Sequence, residues 1–333
     1  MSNAILITGG AGYIGSHTVR QVARGDYEIV VLDNLVYGHE KAIVDDKVSL
    51  VVGDLGDKDL VRTLFQKYDF KAVIHFAAYA YVGESVSNPS KYYHNNISSP
   101  LNLLDVMLEF ECKNFIFSST CATYGNPDYV PIDENHPQRP INPYGKSKYM
   151  LEQILKDYAR AYDLKYVFLR YFNASGASQD ALIGEDHDPE THLIPLILDA
   201  INGDRENITV FGTDYDTEDG SCIRDYIHVD DLAQAHIKAL DHLLKGGHSL
   251  ACNLGTGQGV SVLEMIKSAE EVTGKKVPVV LGDRREGDPA RLVANAEYAK
   301  AALGWVAEIK DIKKIIESAW NWKTNARGGK YND

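Results

Sequence analysis

The sequence predicts an α/β fold, a doubly wound parallel sheet joined to a smaller mixed α/β lobe. Three observations carry this expectation: apolar runs of strand length recur through the first half, helical patterns fill most gaps between them, and the regularity stops after Asn173. The runs are Ala4 to Ile7, Glu28 to Leu32, Val48 to Val52, Ala72 to Phe76, Asn114 to Phe117 and Tyr166 to Leu169. Strands alternating with helices imply a parallel sheet covered on both faces. From Ala174 to Gly220 the pattern gives one helix, Leu193 to Asn202, among long polar loops, and long ordered loops in compact proteins are usually functional. Asp225 to Leu254 reads as a helix and strand returning to the first domain, and Ser261 to Asp333 as two helices and a carboxy-terminal lid. The expected division is therefore residues 1–173, with 225–257 rejoining them, and a second lobe of 174–224 and 258–333.

The first strand runs into Thr8-Gly9-Gly10-Ala11-Gly12-Tyr13-Ile14-Gly15. A strand that meets a glycine turn and then a helix directs backbone N–H groups and the helix N-terminus at a pyrophosphate. Gly9, Gly12 and Gly15 follow a G-x-x-G-x-x-G spacing, and the second strand ends in Asp33, the acidic residue expected on ribose hydroxyls. Such glycines can also serve only close helix–strand packing. Glycine turn and acidic residue together favour a Rossmann-type dinucleotide site.

Further along, Asn142-Pro143-Tyr144-Gly145-Lys146-Ser147-Lys148 opens a helix, with Asn142 as cap and Pro143 at its first position. Tyr144 and Lys148, four apart, then share a face. A free phenol is a poor base at neutrality, and an adjacent ammonium is expected to lower its pKa for hydroxyl-to-carbonyl chemistry. A solvated Tyr and Lys on a helix face is the bland alternative. Just after the fifth strand, Ser118-Ser119-Thr120 place hydroxyls at a strand carboxyl end, where parallel α/β sheets bind ligands.

Composition narrows the partners. A formal charge of −13 over 333 residues disfavours nucleic acid and anionic membranes, so an anionic ligand needs local arginine or lysine. Cys112, Cys121, Cys222 and Cys252 are too dispersed for metal pairs and too few for a disulfide scaffold, and read as buried cytoplasmic thiols. There is no apolar stretch of transmembrane length and no signal-peptide pattern before the first strand. His187 and His192 sit among carboxylates, but their spacing fits no compact helical zinc motif, and a solvated or substrate-lining loop is expected, with no metal. Asp214 to Gly220 superficially looks like a calcium loop; its glycine is one place late and no glutamate closes it. Cys121 lacks a motif-linked base and reads as packing.

Taken in order, the T-G-G-x-G-x-I-G-S-H start, the S-S-T-x-x-x-Y-G segment, the N-P-Y-G-x-x-K helix and Arg170-Tyr171-Phe172-Asn173 resemble the extended short-chain dehydrogenase/reductase family. Gly184-Glu185-Asp186, Phe211-Gly212-Thr213-Asp214-Tyr215, Arg224-Asp225-Tyr226-Ile227-His228-Val229 and Arg284-Arg285-Glu286-Gly287-Asp288 are similar to its 4-epimerase branch, which acts on UDP-hexoses. The resemblance spans essentially the whole chain. It implies NAD as cofactor and interconversion of UDP-galactose and UDP-glucose through a 4-keto intermediate that turns before it is reduced again. Tyr144 would take the proton of the sugar 4-hydroxyl, Thr120 would hydrogen-bond that oxygen, and Lys148 would bind the nicotinamide ribose. NAD would be held by Gly9, Gly12, Tyr13, Ile14, Gly15, Asp33, Asn34, Asp54, Leu55, Phe76, Ala77, Ala78, Asn95, Ser118, Tyr144, Lys148 and Tyr171. The UDP-sugar would be held by Thr120, Tyr144, Asn173, His192, Leu193, Phe211, Arg224, Arg285, Asp288 and Leu292. Ala80 departs from the pattern, standing where many members carry a lysine.

Within the same family, 4,6-dehydratases place an Asp-Glu pair directly after the threonine. Here the pair is Cys121-Ala122, which cannot transfer the protons of an elimination. A non-catalytic NAD sensor would keep the glycine turn and could lose the base, whereas Tyr144, Lys148 and Thr120 are all present. A dehydrogenase releasing NADH is the third reading. The resemblance also implies a homodimer, for which Leu101, Leu104, Met107 and Leu108, with Met150, Leu151, Ile154, Leu155 and Tyr158, offer apolar helix faces.

Overall fold

The computed structural model describes residues 3–285, 288–325 and 327–331. Its centre is a seven-stranded, all-parallel sheet of β1 (Ala4–Thr8), β2 (Glu28–Asp33), β3 (Val48–Val52), β4 (Phe70–His75), β5 (Asn114–Thr120), β6 (Lys165–Tyr171) and β10 (Leu250–Leu254). The strands lie in the order β3-β2-β1-β4-β5-β6-β10. The order reverses direction beside β1, which opens a crevice at the strand carboxyl ends.

Side-chain alternation along the strands builds two cores. Ile5 and Ile7 face one side, with Val19 and Val22 of α1 (Tyr13–Val22) and Leu232, Ala235 and Leu240 of α8 (Val229–Leu244). Ala4 and Leu6 face the other, with Leu64 of α2 (Lys58–Lys67), Leu104 and Met107 of α5 (Ser99–Glu109) and Leu151 and Leu155 of α6 (Pro143–Tyr162). Because both faces are covered, the strands read as continuous apolar runs rather than alternating ones. Two short helices, α3 (Val82–Ser87) and α4 (Pro89–Tyr93), lead through a π-helical turn at His94–Ser98 into α5.

The second lobe has its own core, in which α7 (Leu193–Asn202), α9 (Val262–Thr273) and α11 (Ile312–Thr324) pack Ile197, Met265, Ile316 and their neighbours. Here β9 (Ile223–His228) pairs with β7 (Asn173–Ser175), β11 (Gly259–Ser261) and β13 (Arg291–Leu292), while β8 (Ile208–Phe211) pairs with β12 (Val279–Gly282).

The expected helix at Leu193–Asn202 forms with those ends. Among the described residues the tail has three helices where two were expected: α9, the seven-residue α10 (Glu297–Leu303) ended by Gly304 in a left-handed conformation, and α11. Two turns of periodicity are too little to read from sequence. The stretch from Ala174 to Gly220, expected to hold one helix, also contains β8. Asp225 to His228 belongs to β9 of the smaller sheet, while α8 and β10 after it return to the large one.

Under the carboxyl ends of β5 and β6 lies a buried ionic network. Arg170 donates from Nε to Glu152 Oε1 at 2.9 Å and from Nη2 to Oε2 at 2.7 Å, with side chains 4% and 0% exposed. Ser119 Oγ donates to Glu152 Oε1 and Gln138 Nε2 to Oε2, while Arg170 Nη1 donates to the Tyr124 hydroxyl, which donates to Asn253 Oδ1. Removing one partner from such a pair leaves a buried charge uncompensated, at a cost of about 3–5 kcal/mol. We therefore expect Arg170→Met to lower stability by that order in equilibrium urea unfolding, and the double variant Arg170→Met/Glu152→Leu to recover much of the loss. A single-variant loss below about 1 kcal/mol would show the pair to be dispensable.

Candidate active site

The β1–α1 turn is as tight as its backbone allows. Gly9 has φ +73°, and a Cβ there would lie 2.5 Å from Ala77 N; one on Gly15 would lie 2.2 Å from Gly9 O. Gly12 differs, because its Cβ would meet only Gly9 O, at 3.4 Å, and so the turn is open there. Gly12 is also the N-cap of α1, with no side chain capping it, followed by Tyr13, Ile14 and Gly15 in the first turn. An open backbone and an uncapped helix N-terminus fit a pyrophosphate. Phe76 and Ala77 close the other side, both donating backbone N–H groups to Thr8 O, with Ala78 next in the chain.

Asp33 ends β2, buried against that turn. Its Oδ2 accepts from Ala11 N and its Oδ1 from Leu35 N, each at 2.9 Å. Burial pushes its carboxyl above the ordinary value while the two backbone N–H groups pull the other way. Asn34 follows and donates from Nδ2 to Asp54 Oδ2 at 2.9 Å, so the loops after β2 and β3 meet at the surface, with Leu55 buried beneath. Residues 33, 34, 54 and 55 thus gather at one end of the crevice, and Asn95, on the π-helical turn, lies on the α5 side.

The other end of the crevice is built by β5, β6 and α6. Asn142 caps α6 through Gly145 N at 2.8 Å, and Pro143 occupies its first turn as expected. Gly145 lets the helix close on the turn after β5, since a Cβ there would lie 2.5 Å from Ala122 O. That contact brings buried Tyr144 to Thr120. Thr120 Oγ1 accepts from Ala122 N, leaving its own proton free to donate. Ser118 Oγ and the Tyr171 hydroxyl are 3.0 Å apart beside them.

The expected lowering of the Tyr144 pKa by Lys148 is not what the side chains do. Burial raises the Tyr144 phenol, with a hydrogen bond from Thr120 working against it. Lys148 reaches instead to the Ser118 carbonyl, donating from Nζ at 2.9 Å, and lies 4.9 Å from the centre of the Phe117 ring. Burial pushes Lys148 down to about 7, with the Glu152 carboxylate pulling it back up. Spacing on a helix sets which residues share a face. It does not fix where a four-carbon side chain ends.

On the second lobe, Asn173 donates to Asp225 O and Arg224, on β9, donates to the carbonyls of Ile223 and Pro289 and lies 3.5 Å from Asp288 Oδ1. Arg285 sits over the Phe211 ring at 3.9 Å. Glu286 and Gly287 of the same motif lie outside the described residues. Leu292 pairs in register with Arg224 and, with Cys121, packs against Tyr124, Ile132, Phe172 and Ala294. This joins the β13 segment to the turn after Thr120. Burial pushes the Cys121 thiol up to about 12, which suits packing rather than nucleophilic chemistry. His192 caps α7 by position, ahead of Leu193, and faces Glu185 and Glu190.

Two polar residues at the crevice escaped the sequence reading. His75 ends β4 with Nδ1 2.7 Å from Thr8 Oγ1, and burial together with the Lys148 charge pushes it down to about 3, so it is a neutral spacer. Asn96 accepts from Tyr79 N and donates to Tyr79 O and Ser147 Oγ, which ties the loop after β4 to α6. The polar His at a strand end was a usable signal. Nothing in local sequence foretells the π-helical turn that carries Asn96, a feature frequent at functional sites.

A model of the NAD dependent epimerase/dehydratase family matches residues 5–255. The chain is 51% identical to the UDP-glucose 4-epimerase of Streptococcus mutans, over 99% of each chain. It superposes with a TM-score of 0.93 on UDP-glucose 4-epimerase from Brucella ovis in complex with NAD, at 50% identity and covering 96% of this chain and 98% of that one. The UDP-Glc/GlcNAc 4-epimerase of Campylobacter jejuni gives a TM-score of 0.85 at 44% identity, covering 96% and 99%. The glycine turn, the Thr120–Tyr144–Lys148 crevice and these likenesses together establish that the chain belongs to the NAD dependent epimerase/dehydratase family.

Proposed function

We propose that this chain interconverts UDP-glucose and UDP-galactose, using NAD held at the β1–α1 turn. The observation that carries this reading is Tyr144 drawn by Gly145 to Thr120 at the carboxyl end of β5, beside a turn open to a dinucleotide only at Gly12. When bound, NAD supplies the hydride acceptor and donor for C4 of the sugar. Tyr144 takes the proton of the 4-hydroxyl and returns it after the keto sugar has turned, and Thr120 donates to the same oxygen throughout. Lys148, anchored on the Ser118 carbonyl, binds the ribose on the nicotinamide side. Asp33 holds the ribose hydroxyls of the adenosine end and repels a 2′-phosphate, which favours NAD over NADP. Asn34, Asp54, Leu55 and Asn95 line this cofactor, as do Phe76, Ala77, Ala78, Ser118 and Tyr171. Arg224 and Arg285 supply the local positive charge that the −13 balance lacks, and Arg suits bidentate contact with phosphate. Asn173, His192, Leu193, Phe211 and Asp288 complete the UDP site. In this reading residues 1–173 and 225–257 carry the cofactor, apart from the β9 residues 225–228 that pair in the smaller sheet, and 174–224 and 258–333 carry the sugar nucleotide. The free, mostly buried cysteines fit a reducing cytoplasm. No helix among the described residues is long and apolar enough to cross a membrane.

Tyr144→Phe removes a proton acceptor and little contact surface. We expect turnover of UDP-galactose, coupled to detection of UDP-glucose, to fall by ~10²- to 10⁴-fold with retention of NAD and UDP. Activity within a few-fold of the parent would remove Tyr144 as the base, and net accumulation of NADH would turn the reading to a dehydrogenase.

The wall at Leu292 bears on the sugar. Its side chain is half-buried between Cys121 and the Phe172 cluster, and it stands where the family resemblance places a bulky tyrosine or a small residue. The intermediate volume of leucine leaves room for a 2-acetamido group without specific contacts. We expect measurable turnover of UDP-N-acetylglucosamine and selective suppression of it by Leu292→Tyr; equal loss on both substrates would assign Leu292 to packing alone.

A homodimer through α5 and α6 completes the proposal. Leu104, Met107, Leu151 and Leu155 are spent on the sheet, whereas Leu101, Leu108, Ile154 and Tyr158 stay half-exposed and Met150 exposed. A half-exposed apolar face of this kind suits a two-fold contact. Multi-angle light scattering at micromolar concentration is expected to give twice the chain mass; a monomer alone would rule the contact out.

A further inference from the structure

The loop between Gly184 and α7 was expected to be a solvated or substrate-lining segment, and the fold gathers its side chains. Glu185, His187, Glu190 and His192 each present a ligand atom, and the four atoms lie within 4.8 Å of one another. They alternate around a ring. His187 Nδ1 is 3.0 Å from Glu185 Oε1 and 3.8 Å from Glu190 Oε2; His192 Nδ1 is 2.7 Å from Glu185 Oε1 and 3.1 Å from Glu190 Oε1. A tetrahedral zinc ion with N and O ligands at ~2.0–2.2 Å separates neighbouring ligand atoms by roughly 3.3–3.5 Å, and the four contacts, which use both oxygens of Glu190, run from 2.7 to 3.8 Å.

We propose that Glu185, His187, Glu190 and His192 form a structural site for a divalent cation of the zinc class. Two carboxylates neutralise the charge of the ion and two imidazoles provide the nitrogen donors that select zinc-like ions over magnesium or calcium. The ligands are held from outside the ring. Glu190 Oε1 accepts from the backbone N–H groups of Thr191 and His192, at 2.6 and 2.8 Å, and Trp322 Nε1 donates to Glu185 O at 2.9 Å. Tyr13 and Tyr81 stand edge-on to the His187 ring with centroids 6.1 and 6.2 Å away, so one wall is aromatic. Glu185, His187 and Glu190 line a cleft of about 810 Å³, which gives an ion access. Such a site would tie the loop to the start of α7 and neutralise two carboxylates beside Tyr13.

The same distances would arise from two protonated imidazoles paired with two carboxylates, and the test separates the two. The full chain, cofactor retained, is stripped with a chelator, dialysed and titrated with Co²⁺ while the visible d–d absorption is followed. One Co²⁺ per chain is expected, with the intense bands of a tetrahedral shell, displaced by one equivalent of Zn²⁺. Glu185→Gln and His187→Asn should each weaken binding at least tenfold, and chelation should lower the thermal midpoint of the parent but not of His187→Asn. Far-UV circular dichroism and retained cofactor establish that the variants fold. A parent chain with no stoichiometric binding, or with only weak octahedral bands, overturns the proposal whatever the variants do. So does unchanged binding in both folded variants.

Discussion

The ion pair of Glu152 and Arg170 is the constraint on which the crevice depends. Its three branches fasten the elements that carry the chemistry: Ser119 beside Thr120 on β5, Glu152 one helical turn beyond Lys148 on α6, and Arg170 beside Tyr171 on β6. A buried ion pair is poor evidence for net stability, since two well-packed apolar side chains often do as well. Its geometry is what counts here. The bidentate fork of Arg170 admits one alignment of β6 against α6, and Gln138 and Tyr124 satisfy what remains of the two charges. An apolar pair could slide by an ångström, and a proton acceptor misplaced by that much loses rate steeply.

Close backbone approach does the same service at the other end. Gly9 and Gly15 let β1, α1 and the loop after β4 interlock, and Gly145 lets α6 reach the turn after β5. At all three positions a methyl group would collide with main-chain atoms, which have no rotamer to move into. The crevice is thus bounded by contacts that cannot relax locally, while at Gly12, between them, a methyl group would touch only Gly9 O, at 3.4 Å.

What could be read in the sequence follows from this. The strands of the large sheet were legible because burial on both faces makes each a continuous apolar run, and Leu193–Asn202 was legible because its apolar periodicity stops at a glycine. The Asn142-Pro143 start of α6 was legible because capping is local. Short β7, β8 and α10 were not, since a few residues carry no period and their pairing is set by partners distant in the chain. Asn96 was hidden by the π-helical turn, and the ring of Glu185, His187, Glu190 and His192 by loop closure, which no linear spacing encodes.

Tyr144 and Lys148 mark the boundary of such reading. The motif predicts that the two residues share a helix face, and burial acts on both: it favours the neutral phenol of Tyr144 and the neutral amine of Lys148, against the hydrogen bond from Thr120 and the carboxylate of Glu152. In the proposed reaction the positive nicotinamide ring and the ribose hydroxyls of NAD would supply charge and partners that oppose these two shifts. A buried site that takes its compensating charge from a bound group would couple proton transfer to the binding of that group.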